Sequence, residues 1–67
     1  MTFSENLLQL RKSHGLKQQE LADQLGLSLR VYRYYEHGER EPQLSVLVKL
    51  ADFYDLSLDE LVGRERK

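Results

Sequence analysis

Residues 18–36 read QQELADQLGLSLRVYRYYE, and the fold turns on how this stretch divides. Leu21, Ala22 and Leu25 stand at i, i+1 and i+4, the spacing of one helical face. Gly26 follows, and glycine takes up a left-handed backbone that a Cβ would penalise. Ser28 can then accept a free backbone N–H at the start of a second helix. The spacing predicts two short helices joined by a tight turn, with Ala22 small enough for a close crossing.

At about 100° per residue, the second helix has two unlike sides. Tyr32 and Tyr35 share one, with Val31 and Glu36 at its edges. At that spacing they are core residues whose hydroxyls reach the rim. Arg30, Arg33 and His37 lie opposite, flanked by Leu29 and Tyr34. One side can join a core while the other carries cations and donors outward, as a helix lying in the major groove requires.

Working outward, Thr2 and Glu5 make a capping box for a first helix with an apolar stripe of Phe3, Leu7 and Leu10. Leu8 falls off that stripe and reads as an isolated exposed leucine, and Gly15 ends the helix. Lys12 and His14 lie in its last turn, where positive charge suits the negative helix end. Lys17 is a poor cap for the next helix, leaving only the Glu20 half of a capping box. His37-Gly38 closes the third helix, and Pro42 and Gln43 precede a fourth over Leu44–Tyr54. Leu47, Leu50, Ala51 and Tyr54 form its core stripe. Val46 and Phe53 make a second apolar stripe off that face. Ser57 and Glu60 box a fifth helix, with Leu56 and Leu61 as a hydrophobic staple and Gly63 at its end. Residues 63–67 read as a frayed charged tail.

Sixty-seven residues make one domain, here spanning 1–67, with a small core. Without cysteine there is no disulfide framework and no thiolate metal site. No apolar run approaches the roughly 20 residues that span a bilayer, and no signal-peptide pattern opens the chain, so a cytoplasmic protein is expected. Ten basic side chains against eleven acidic ones leave a net charge of −1. Six of the ten cations fall in residues 1–40, against five acids there. Any nucleic-acid surface is therefore a local patch, with weak non-specific binding and a need for specific contacts or a dimer.

The full set of motifs resembles the helix-turn-helix domain of the phage repressor and Cro family, the XRE type. Residues 16–61 carry it in LKQQELADQLGLS, YRYYEHGEREP and LVKLADFYDLSLDEL, and LRKSHGL extends the match back through the first helix. The resemblance implies an all-α, compact five-helix lambda-repressor-like domain whose helices 2 and 3 form the helix-turn-helix. It also implies a double-stranded DNA partner and a sequence-specific transcriptional regulator, expected to act as a dimeric repressor.

Carried onto this chain, the resemblance assigns base reading to Leu29, Arg30 and Tyr34, with Arg33 serving base or phosphate. Gln18 matches the family glutamine that binds backbone phosphate, and Lys17, Ser28, His37 and Arg40 are read beside it as further phosphate donors of this chain. Lys17 and His37 replace the usual Thr, Ser or Asn and Asn, and Gln43 replaces a usual Ser cap. A homodimer is expected through Val46, Phe53, Leu58 and Val62. Arg11 and Glu36 match positions where a structural ion pair ties helix 1 to helix 3.

Two other functions compete. An enzyme would need paired carboxylates, an activated nucleophile, a phosphate-cradling loop or a metal cluster; none is present, and a domain this small leaves no room for a pocket. No cofactor, metal or small-molecule ligand is expected. A protein-interaction module on the same fold, antitoxin-like or an adaptor subunit, is the remaining alternative. The near-neutral charge and the apolar Leu29, Tyr34, Val46 and Phe53 support it. Steep salt dependence of duplex binding separates the two.

Overall fold

Thr2 opens the first helix through both halves of a capping box: its hydroxyl accepts from the Glu5 backbone, and its own N–H reaches the Glu5 carboxylate. From there a computed structural model describes residues 2–63 as five helices: α1 (Phe3–Ser13), α2 (Gln18–Leu25), α3 (Leu29–Glu36), α4 (Leu44–Tyr54) and α5 (Leu58–Val62). There is no strand among the described residues. Residues 64–67 of the expected tail lie outside them.

Local chemistry sets the boundaries. The Lys17 N–H donates to Glu20 at 2.9 Å, but lysine has no acceptor to return a bond to the first turn of α2. Gly26 ends α2 in the left-handed region at φ 69°, where any Cβ would be strained. Ser28 then caps α3 by accepting from the Val31 N–H at 3.2 Å. α4 starts without a side-chain cap at Gln43 and ends on Asp55, the one non-glycine residue with positive φ among those described. α5 regains a complete box from Ser57 and Glu60.

α2 and α3 pack on each other, α1 lies against α3 and α5, and α4 bridges α2 and α5. Their shared interior holds Leu7, Leu21, Tyr32, Leu50 and Leu61, all fully buried. Ala22 of α2 is fully buried in the same cluster, and Leu16, Leu27 and Leu56 close the core from the loops. Asn6 ties the two ends of the fold together, donating to the carbonyls of Glu60 at 3.0 Å and Leu61 at 2.6 Å.

Three expectations change. Val46 is buried in the core, so it is not part of an outward stripe. Because α4 packs on both α2 and α5, its inner face is wider than one stripe. It runs from Val46 through Leu50, Tyr54 and Leu47 to Ala51, about 140° of arc at 100° per residue. Phe53, just beyond Val46, is 40% exposed. Leu8 is half-buried, not exposed. The Tyr32 hydroxyl turns inward and donates to Glu36, so it does not reach the rim.

Candidate nucleic-acid interface

Glu36 is the inner anchor of the site. It ends α3 inside the protein, and its two carboxylate oxygens collect four donors. Arg11 supplies two, Nε to Oε2 at 2.8 Å and Nη2 to Oε1 at 2.9 Å, in a fork-to-fork pair. The Tyr32 hydroxyl donates to Oε2, and Gln18 Nε2 donates to Oε1 at 2.9 Å. The third corner of the Arg11 guanidinium reaches the Leu16 carbonyl at 2.9 Å, which fixes the turn between α1 and α2. Burial alone would raise the Glu36 carboxyl, but these bonds outweigh it and hold the group below its ordinary value. For Tyr32, burial and the Glu36 carboxylate together push the phenol far up.

The outer face of α3 is built on this anchor. Arg33 is exposed, and its Nε donates to Gln18 Oε1 at 3.2 Å, so a continuous chain of bonds runs Arg11–Glu36–Gln18–Arg33. One turn earlier, Arg30 Nε donates to the Tyr34 hydroxyl at 3.0 Å. The other side of this cluster is closed by Arg40, whose guanidinium carbon lies 4.5 Å from the Tyr34 ring centroid. The loop is held in place for that contact: the backbone N–H groups of Glu39 and Arg40 both bond the Tyr34 carbonyl, at 2.9 and 3.3 Å. Leu29, Arg30, Arg33, Tyr34, His37 and Glu39 together line an open groove of 490 Å³. A concavity therefore exists where none was expected, and it lies on the outer side of α3.

All four residues assigned to base reading thus share one surface. Of those assigned to phosphates, Lys17 is exposed at the start of α2 beside Gln18, whose amide is engaged at both ends but keeps one free N–H. Ser28 uses its oxygen in the cap and keeps its own proton to donate. His37 is exposed with its ring 3.6 Å from the Glu39 carboxylate, and Arg40 is stacked on Tyr34. Glu39 was not singled out in the sequence, and it puts a negative charge on the rim of an otherwise cationic groove.

The residues assigned to a dimer contact do not form one set. Val46 is interior; Phe53 and Leu58 are exposed; Val62 is half-buried in a crevice with Phe3, Pro42 and Leu47. Leu44 and Val48, one turn apart on α4, are further exposed apolar residues that sequence reasoning missed. His14 is a surface residue, with its ring 4.8 Å from that of Tyr54.

Comparison with known proteins agrees with this architecture. A helix-turn-helix family model matches residues 7–61. The cryptic phage CTXphi transcriptional repressor RstR of Vibrio cholerae is 44% identical over 64 residues, covering 96% of this chain and 57% of that protein. The HTH-type transcriptional regulator AnsR of Bacillus subtilis is 43% identical over 63 residues, covering 94% of this chain and 54% of its own. The crystal structure of a transcriptional regulator from Listeria innocua superposes with a TM-score of 0.92 at 42% identity, over 98% of this chain and 62% of that one. The chain spans a little over half the length of the curated relatives it matches. With helices 2 and 3 joined by the turn at Gly26, as the resemblance implied, and a family model matching most of its length, the chain belongs to the helix-turn-helix family of the phage repressor and Cro type.

Proposed function

We propose that this chain binds duplex DNA sequence-specifically as a transcriptional repressor, with α3 in the major groove and two copies on each operator. The observation that carries this reading is the outer face of α3. Leu29, Arg30, Arg33 and Tyr34 line one groove on a helix whose other side is locked into the core. The positive end of α2, with Lys17 and Gln18, supports a phosphate contact beside it. The relatives named as repressor and regulators support the role in transcription. The role is binding, with no catalytic step, and the setting is the cytoplasm; no described helix is long and apolar enough to cross a membrane.

A net charge of −1 supplies little long-range attraction, so pairing two reading helices about one DNA turn apart provides the affinity a single copy lacks. Exposed Phe53 and Leu58, with Val62 at the crevice edge, are the apolar residues proposed for that contact. The test is selection of duplexes by the purified protein, followed by titration of the winner at several salt concentrations. A defined two-part sequence whose binding falls steeply with salt is expected. Salt-independent binding, or no selected sequence, overturns the reading in favour of a protein-interaction module.

A further inference from the structure

Arg30 and Arg33 are each held by one atom. Arg30 Nε is given to the Tyr34 hydroxyl at 3.0 Å, and Arg33 Nε to Gln18 Oε1 at 3.2 Å. A guanidinium has five N–H donors in a planar fork. With Nε engaged by a neighbouring side chain at the surface, the two terminal nitrogens remain, on the edge of the guanidinium opposite the stem. Guanine presents two acceptors, O6 and N7, side by side in the major groove. A fork held by its stem is therefore matched to guanine end-on.

The two tethers differ in origin but have the same effect. Tyr34 is kept in place by Arg40 stacked on its ring and by the backbone bonds from Glu39 and Arg40. Gln18 is kept in place by the buried Glu36 carboxylate. In both cases one bond to a held neighbour restrains the arginine's stem before any ligand arrives, which lowers the ordering cost of a specific contact. Three residues along a helix rise about 4.5 Å, against about 3.4 Å per base-pair step. Both forks thus fall on adjacent or next-adjacent base pairs.

We propose that Arg30 and Arg33 read two neighbouring guanines in each half-site end-on, and that Tyr34 and Gln18 are positioning residues which hold the two forks by their stems. This rests on the duplex-binding reading and goes further by naming what the duplex must contain. It also gives Tyr34 and Arg40 a task other than the base and phosphate contacts expected of them from the sequence, and Gln18 a second task beside its phosphate contact.

The experiment uses the selected duplex with each guanine replaced in turn by 7-deazaguanine, which pairs normally but lacks the N7 acceptor. Two neighbouring positions in each half-site should each weaken wild-type binding roughly tenfold. Arg30→Met, which keeps the apolar stem but has no donor, should lose sensitivity at one of them only. Tyr34→Phe should blunt sensitivity at that same position, with an unchanged melting temperature showing that the fold is intact. Gln18→Ala should do so at the other. If no duplex is bound, the underlying reading fails and this one with it. If a sequence is selected but no 7-deazaguanine position matters, or if Tyr34→Phe leaves the sensitivity at the Arg30 position intact, the duplex reading stands and this inference alone is overturned.

Discussion

A carboxylate with 3% of its side chain exposed, as Glu36 has, survives burial only if its oxygens stay bonded. Arg11 supplies two of the four donors and the only opposing charge among them, so Arg11→Ala strands a charge inside the protein. We expect a loss on the order of 3–5 kcal/mol, a large share of a small domain's stability. Thermal denaturation should show it, although Arg11 lies on the inner side of α3. Arg11→Met combined with Glu36→Leu should recover much of the loss; a drop of only a few tenths of a kcal/mol for Arg11→Ala would mean that water already serves the pair. The same carboxylate sets a pH dependence. Its folded-state pKa is lowered, so the unfolded chain binds the proton more tightly. The stability it contributes is complete above the unfolded carboxylate value of about 4.3 and is lost as pH falls through the lower folded value. Glu5 and Glu60 are lowered as well, by their cap bonds. Urea unfolding from pH 6 downward should therefore decline less in the double variant than in wild type, and the difference isolates Glu36.

At the scale of the element, the helices are unequally capped. Gln43 already has the extended backbone of an N-cap, φ −66° and ψ 159°, yet makes no side-chain cap bond. Gln43→Ser should raise stability by roughly 1 kcal/mol, read as a higher urea midpoint with an unchanged slope; no rise would mean that Glu41, Pro42 or a neighbour resists the tighter start. Helix positions, caps and the turn at Gly26 were legible because they depend on residues within four positions of each other. The inner side of α3 was legible for the same reason, from the angle between Tyr32 and Tyr35. What could not be read depends on how helices cross. Val46 is buried only because two helices cover α4, and the Gln18 amide meets Glu36 and Arg33 only once α2 lies across α3. The Arg11–Glu36 contact came from family resemblance, since two charges 25 residues apart carry no local signal.

On the scale of the whole molecule, a net charge of −1 gives little attraction to DNA at a distance, and the proposed pairing would supply the affinity that this charge does not. Phe53→Asp or Leu58→Asp should leave a folded protein that sediments as a monomer and loses operator affinity. Wild-type protein that stays monomeric at high concentration, and also on its DNA, would rule out the paired arrangement. Asn6 has a consequence of another kind. α5 has five residues, far fewer than the roughly 12–15 at which isolated helices become even marginal in water. Its last carbonyls are held by a side chain from the first helix. Opening α5 by itself would break both bonds, which couples its opening to that of α1. In native-state hydrogen exchange, the amides of Leu61 and Val62 should share the opening free energy of those in the middle of α1, one cooperative unit made from opposite ends of the chain. In Asn6→Ala the two should separate, with α5 exchanging first.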